Sequence, residues 1–297
     1  MLPEFDLLMP ETLPEALEML VEAAPDVAPL AGGTNLIVDL RGGDPKLSKS
    51  LHRPGVLVDV ASLDELRPIR RENGHVVVGG GVTIAELLEA PLIAEYAPPL
   101  KQAAAVFANP LVRNRATVGG NLADGSPAAD TAPPLLVLGA EVELASREGT
   151  RHVGLDEFFV HVRQTVRRPD ELLTAIRWPA PASGSVGAFR KLALRKADAI
   201  SVVSAAVMVE PGEDGRCEQV RIALGAVAPT PIRAGEAEEA LRGEALTPET
   251  IAQAARLAAE SIRPIDDIRG SADYRRRVVE VLVRRLLSES ANQRVSE

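Results

Sequence analysis

The sequence is poor in cysteine, histidine and aromatic residues, and each shortage excludes a class of structure or site. The one cysteine, Cys217, cannot form a disulfide within the chain, so a reducing compartment is the default expectation. The four histidines lack the spacing of metal ligands, and we interpret them as surface or strand-end residues. With one Trp, two Tyr and five Phe in 297 residues, the core must be built from aliphatic side chains.

Long apolar runs and an excess of positive charge are also missing. No stretch approaches the roughly 18 apolar residues of a membrane-spanning helix, and the N-terminal segment does not resemble a signal peptide. The net charge of −9 disfavours nucleic acid as a partner. The sequence therefore predicts a cytoplasmic protein without a membrane span. A single basic cluster is expected to form a solvated or partner-facing helix face: Arg275, Arg276, Arg277, Arg284 and Arg285.

The first half of the chain alternates short helices and strands. A helix is predicted from Pro14 toward Ala24, because Thr12 and Glu15 have the spacing of a capping box. Further predicted elements are strands at residues 27–31, 56–60, 76–78, 141–144 and 172–178 and a helix at 84–89. Residues 97–139 are so rich in Pro and Gly that few long elements fit, which is typical of a functional irregular segment.

The pattern changes after residues 179–185, which are predicted to be a linker. Three predicted strands are followed by two amphipathic helices: residues 189–194, 202–209 and 220–227, then 248–262 and 272–287. Strands followed by helices favour a separate α+β domain.

Two Gly-Gly loops are the candidates for a binding site. Residues 31–35 read Ala-Gly-Gly-Thr-Asn after a predicted strand, and residues 117–121 read Thr-Val-Gly-Gly-Asn. Glycine allows the backbone to approach a ligand closely, and exposed N–H groups in such turns bind anions. Two facing loops of this kind are able to hold a pyrophosphate, although each is also consistent with a simple turn. Neither loop matches a Rossmann fingerprint or a P-loop.

Four segments, in order along the chain, resemble the flavoprotein subunits of molybdenum hydroxylases. Residues 30–36 resemble the first FAD pyrophosphate loop of that family, and residues 112–123 resemble the second. Residues 125–130 are similar to its Ser-Pro-x-x-Asp stretch, and residues 189–195 to the segment that carries its flavin-proximal lysine. The first loop departs slightly, because many relatives carry His-Ser or Gln-Ser where this chain has Thr34 and Asn35.

The resemblance implies an α+β fold. Residues 1–178 would form a two-lobed FAD-binding domain of the vanillyl-alcohol-oxidase type, with lobes at about 1–58 and 59–178. Residues 185–290 would form a C-terminal domain with a three-stranded antiparallel sheet and helices, like that of the carbon monoxide dehydrogenase flavoprotein. FAD would lie between the lobes, with one Gly-Gly loop on each.

The resemblance also implies the residues that bind the pyrophosphate of FAD. They lie in the two loops: Leu30, Ala31, Gly32, Gly33, Thr34, Asn35, Thr117, Gly119, Gly120 and Asn121. We expect the glycines to act through main-chain N–H groups and the other side chains to add neutral donors. Because neither loop contains a histidine, non-covalent FAD is predicted.

Further contacts with the cofactor are expected outside the two loops. Asp130 is expected to accept hydrogen bonds from a cofactor hydroxyl or a nearby N–H, and the alternative is a helix N-cap. Lys191 is expected at the flavin edge, where a cation would stabilise the reduced ring, and the alternative is a surface lysine at a strand end. Phe107, Ala108 and Leu173 are expected to pack near the cofactor or to be plain core residues.

The function that the resemblance implies is electron transfer within a multi-subunit oxidoreductase. A large subunit with the molybdenum cofactor would oxidise the substrate, and a small subunit with [2Fe–2S] clusters would pass electrons to FAD on this chain. NAD or a quinone would be the final acceptor. Two alternatives stay open: a free-standing flavin-dependent oxidoreductase, and a non-catalytic subunit that has lost FAD.

Overall fold

The computed structural model describes residues 2–42, 54–195, 198–212 and 215–295. Parallel and antiparallel sheets occur in different parts of the chain, and helices cover them, which confirms the α+β class. Among these described residues, no helix is long and apolar enough to span a membrane.

The first sheet is parallel and contains three strands in the order β1-β3-β2. Its strands are β1 Asp6–Leu8, β2 Val27–Leu30 and β3 Val56–Asp59. Helix α1, Leu13–Ala23, packs on it through Ala16, Leu17 and Leu20. The Thr12 hydroxyl accepts a hydrogen bond from Glu15 N at 3.4 Å, so the predicted helix start is confirmed. A short helix, α2 Leu36–Leu40, follows β2 and the first Gly-Gly loop.

The second sheet has five antiparallel strands in the order β4-β5-β10-β6-β7. These strands are β4 Ile69–Glu72, β5 His75–Gly79, β6 Glu141–Ser146, β7 Gly149–Gly154 and β10 Leu172–Pro179. A small hairpin, β8 Phe159–His161 and β9 Gln164–Thr165, lies between β7 and β10 in the chain. The register of β10 on β6 shifts between Leu173 and Ala175. The shift leaves Thr174 without a partner on β6, and the Thr174 carbonyl accepts Gly80 N at 2.8 Å.

Short helices fill the region between β5 and β6. They are α3 Ile84–Glu89, α4 Pro91–Tyr96, α5 Pro98–Ala105, α6 Pro110–Arg113, α7 Val118–Ala123 and α8 Ala132–Val137, and α9 Leu155–Phe158 follows β7. The predicted helix at 84–89 has these bounds, and its capping box between Thr83 and Glu86 is present. The prolines of residues 97–139 mostly begin helices instead of interrupting them, because proline is tolerated in the first turn.

The C-terminal sheet is antiparallel, with strands in sequence order. Its strands are β11 Val186–Ala193, β12 Ser201–Pro211, β13 Cys217–Gly225 and β14 Ile232–Arg233. The three predicted strands are confirmed, and the structure adds the fourth. That strand has two residues, which is too short to produce a periodic pattern in the sequence. Three helices follow: α10 Gly235–Glu239, α11 Pro248–Glu260 and α12 Ala272–Val295.

Strand β12 is buried on both faces because two layers of helices cover the C-terminal sheet. Val203, Ala205 and Val207 belong to the core that this sheet forms with α11 and α12. Ala206 and Met208, from the opposite face, join the core that contains the second sheet and the short helices. The C-terminal sheet thus shares a hydrophobic core with the preceding part of the chain.

The basic cluster on α12 is partly buried, so the prediction for Arg275 was wrong. Its side chain is 2% exposed, whereas the other four arginines of the cluster are exposed. Its guanidinium donates to the carbonyls of Val202 and Ala226 and to Asp267 Oδ1, the last at 2.6 Å. Val202 is skipped by the irregular register of β11 on β12, and Ala226 follows β13 with a φ of 62°. Arg275 satisfies carbonyls that regular pairing leaves free.

Replacing Arg275 with Gln should destabilise the fold, because the carbonyls of Val202 and Ala226 lose a charged donor and Asp267 keeps only Arg269. We expect the free energy of unfolding to fall by about 1–3 kcal/mol, measured by urea denaturation. Arg276→Gln is the matched control, since its exposed pair with Asp273 should contribute at most about 0.5 kcal/mol. Equal stability of the two variants would contradict a structural role for Arg275.

Candidate functional site

A large cavity opens where the two Gly-Gly loops meet the C-terminal part of the chain. Its volume is about 1050 Å³, at or above the upper end of the range of about 300–1,000 Å³ for small-molecule sites. Its walls include both loops, the hairpin β8–β9 and residues that follow β11 and β13. Of the residues predicted for the site, every one lines this cavity except Lys191.

The first loop is held against the second by backbone contact. A Cβ atom at Gly32 would lie 1.9 Å from the carbonyl oxygen of Arg115, so only glycine fits there. Gly33 has a φ of 69°, in the left-handed region that favours glycine. Its carbonyl accepts Ile37 N at 3.0 Å and begins helix α2. The four backbone N–H groups from Gly33 to Leu36 have no hydrogen-bond partner among the described residues.

The second loop uses its own N–H groups differently. Gly119 N donates to Gly80 O, and Gly120 N donates to the Thr117 hydroxyl, both at 3.0 Å. These two N–H groups are therefore engaged within the protein and are not the free phosphate donors that the sequence led us to expect. Asn121 Oδ1 accepts the Thr131 hydroxyl at 2.7 Å. The second loop retains the Thr117 hydroxyl proton and the Asn121 amide N–H₂ as donors.

A polar cluster, which the sequence analysis missed, joins the two loops at one side of the cavity. Arg163 forms ion pairs with Asp39 of α2 and with Asp124, the latter at 3.2 Å. Asn35 Nδ2 donates to Asp124 Oδ2 at 3.0 Å. Burial raises the pKa of the Asp124 carboxyl, and Arg163 opposes that shift. Arg163 is separated by 124 positions from Asp39, so no local pattern could have indicated this cluster.

Asp130 lines the cavity, and two side chains of the C-terminal sheet bind its carboxylate. Its Oδ2 accepts Lys191 Nζ at 2.6 Å, and its Oδ1 accepts the Ser201 hydroxyl at 2.6 Å. Thr131, not Asp130, occupies the N-cap position of α8, which excludes the alternative interpretation of Asp130. Burial raises the pKa of the Asp130 carboxyl, while Lys191 and Ser201 act in the opposite direction.

Lys191 is not a surface lysine at a strand end. Its side chain is 8% exposed, and its ammonium also donates to Ala199 O at 3.1 Å. Lys191 therefore acts on the cavity through Asp130, from the strand β11 of the C-terminal sheet.

The remaining predicted residues, Phe107, Ala108 and Leu173, lie in other parts of the wall. Ala108 has a φ of 36°, and its carbonyl accepts Asp198 N at 3.0 Å, next to the partly buried Phe107. Leu173 is 4% exposed, and its carbonyl lies 2.2 Å from where Gly80 would carry a Cβ. Both parts are thus shaped by close backbone approach.

Gly32→Ala should lower the melting temperature by several degrees, because the added Cβ would force the two loops apart. The effect on the free energy of unfolding should be about 1–3 kcal/mol, the usual cost of overpacking. Gly235→Ala is the matched control, since a Cβ there meets no atom within 4 Å. Differential scanning calorimetry compares the two, and equal melting temperatures would contradict the loop contact.

Two family models cover nearly the whole chain. Residues 3–181 match the FAD-binding domain in molybdopterin dehydrogenase, and residues 188–290 match the C-terminal domain of the CO dehydrogenase flavoprotein. The medium chain of carbon monoxide dehydrogenase from Afipia carboxidovorans is 34% identical over 96% of both chains. A putative xanthine dehydrogenase FAD-binding subunit of Escherichia coli is 30% identical, over 94% of this chain and 93% of that one.

Solved structures of related oxidoreductases have the same fold as this chain. A chain of carbon monoxide dehydrogenase from Hydrogenophaga pseudoflava superposes with a TM-score of 0.91 at 34% identity, over 99% of both chains. A chain of quinoline 2-oxidoreductase from Pseudomonas putida gives 0.89 at 33% identity, again over 99% of both. The expected fold, an FAD-binding domain followed by a C-terminal domain, is thereby confirmed. The chain belongs to the FAD-binding subunits of the molybdenum hydroxylases and is the flavoprotein subunit of a multi-subunit dehydrogenase.

Proposed function

We propose that this chain carries electrons between two partners of a molybdenum hydroxylase. A large subunit with the molybdenum cofactor oxidises the substrate, and a small subunit delivers the electrons from its [2Fe–2S] clusters. This chain binds FAD, which exchanges electrons singly or in pairs, and NAD or a quinone takes the electrons away. We place the complex in the cytoplasm, in agreement with the single cysteine.

The observation that carries the proposal is the row of free N–H groups in the first loop. Four consecutive amides, Gly33 to Leu36, line the cavity without a described hydrogen-bond partner. Such amides are strong anion ligands, and an unsatisfied one in a cavity is costly. The pyrophosphate of FAD fits this need, and the Thr117 hydroxyl and the Asn121 amide add neutral donors from the opposite side.

The other predicted contacts are consistent with a cofactor in this cavity. We propose that Phe107, Ala108 and Leu173 pack against the cofactor and exclude water, since all three line the wall. Asp130 presents its carboxylate there and accepts a hydrogen bond from the cofactor. The buried Lys191 binds that carboxylate at 2.6 Å and places a positive charge behind it.

The division of the chain into units is part of the proposal. Residues 1–178 form the FAD-binding domain, with lobes at about 1–58 and 59–178, and residues 185–290 form the C-terminal domain. The parallel sheet falls in the first lobe, apart from the last residue of β3, and the five-stranded sheet falls in the second.

Iron–sulfur clusters must lie on another subunit, because their usual ligands are several cysteines. This chain has only Cys217, which is buried. The same scarcity favours non-covalent FAD, since neither Gly-Gly loop contains a cysteine or a histidine.

A visible absorption spectrum of the purified chain tests FAD binding. We expect flavin bands that pass to the supernatant when the protein is precipitated with acid. Bands that remain with the precipitate would contradict non-covalent binding, and a protein that stays colourless with added FAD would contradict the proposal. Co-purification of subunits that contain iron and molybdenum would separate electron transfer within a complex from a free-standing oxidoreductase.

Lys191→Met should lower the midpoint potential of the bound flavin. The reduced ring carries negative charge, and the variant removes a buried positive charge on the far side of Asp130. Lys101→Met makes the same change in charge on α5, outside the cavity lining, and should leave the potential unchanged. Spectroelectrochemical titration measures both, and an unchanged potential in the Lys191 variant would remove this residue from the flavin environment.

A further inference from the structure

Arg167 is a cation in the cavity wall that none of the sequence motifs includes. It follows β9, lines the cavity and is partly buried. Its Nη1 donates to two carbonyl oxygens, at 2.9 Å to its neighbour Arg168 and at 2.7 Å to Glu171. Its Nε and Nη2 form no hydrogen bond with a described residue. The guanidinium is thus anchored at one nitrogen, and the other nitrogens remain able to donate.

The anchor of Arg167 is connected to the second Gly-Gly loop through Leu173 and Gly80. Glu171, whose carbonyl it binds, is two residues before Leu173, and the Leu173 carbonyl packs against the backbone of Gly80. The Gly80 carbonyl accepts Gly119 N at 3.0 Å. A short series of backbone contacts therefore connects the arginine to the loop that the proposed function assigns to the pyrophosphate.

The surrounding charges leave Arg167 without an ion pair. Glu171 forms an ion pair with Arg151 at 2.6 Å, and Asp170 forms one with Arg168 at 3.3 Å. No carboxylate of the described residues lies within ion-pair distance of Arg167. Burial lowers the pKa of its guanidinium, whereas the charges of Glu171 and Asp170, from further away, raise that pKa.

Arg163, the neighbouring cation of the cavity, is in the opposite situation. It is paired with Asp39 and Asp124, so two negative charges already offset its single positive charge. Of Arg163 and Arg167, only Arg167 has no carboxylate of the described residues within ion-pair distance. A partly buried cation without an ion-pair partner is unfavourable, and an anion that binds beside it offsets that cost.

We propose that Arg167 pairs with the pyrophosphate of the cofactor and supplies the positive charge that the Gly-Gly loops lack. The planar guanidinium donates from Nε and Nη2 to phosphate oxygens in a forked geometry. The inference rests on the proposed function in one respect, namely that FAD is the ligand of this cavity.

Binding constants for FAD and for riboflavin test the assignment, because riboflavin has the same ring system without a phosphate. Arg167→Gln in the full chain should weaken FAD binding by about 10- to 100-fold, as expected for the loss of charge-assisted hydrogen bonds. Riboflavin binding should not change. The salt dependence of FAD binding should also decrease, since one charge contact is lost.

Two control variants separate the charge of Arg167 from its packing. Arg147→Gln removes an exposed arginine outside the cavity lining, which pairs with Glu18, and should bind FAD like the wild type. Arg167→Lys keeps the charge without the fork and should fall between the wild type and the Gln variant. Fluorescence titration measures each constant.

Wild-type affinity for FAD in Arg167→Gln, or an equal loss of FAD and riboflavin, would overturn the assignment of this residue to the phosphates. Failure of the wild-type chain to bind FAD at all would overturn the proposed function and this inference together. The first two results leave the proposed function standing, so the two failures are distinguishable.

Discussion

The cavity depends on backbone contacts that only glycine permits. At Gly32 the first loop approaches the carbonyl of Arg115 so closely that a Cβ atom would lie 1.9 Å from its oxygen. Gly119 lies against Gly80 in the same way, and Gly80 against Leu173. Each contact brings the main chain of separate elements together without an intervening side chain. The two loops are therefore parts of one packed backbone layer, and that layer fixes the distance between the walls of the cavity.

A cavity built from backbone is pre-organised. The amides of the first loop are held by the start of helix α2, and few rotatable side chains need to be ordered when a ligand binds, so little entropy is lost. The C-terminal sheet supports the opposite wall, because Lys191 and Ser201 hold Asp130 from strands β11 and β12. Burial of β12 on both faces keeps those strands in place.

Local signals in the sequence predicted the elements and located the loops. The caps at Thr12 and Thr83 depend on residues three positions away, so the sequence displays them directly. The chemistry of the site was predicted less well, because it depends on contacts between distant residues. Arg163 meets Asp39 across 124 positions, and Arg275 was assigned to a solvated face although it binds carbonyls of the sheet. The loop glycines were predicted because they allow a ligand to approach the backbone closely. In the structure they also allow neighbouring backbone to approach closely.

The distribution of charge explains how a chain with a net charge of −9 is suited to an anionic cofactor. Charges separated by more than a Debye length, about 8 Å at physiological salt, are largely screened. A ligand inside the cavity therefore responds to the nearest groups and not to the total. Arg163 is offset by two carboxylates, whereas Arg167 has no such partner among the described residues. A strongly acidic sequence argues against nucleic acid, which contacts a wide surface, but it does not argue against a dinucleotide, which contacts one cavity.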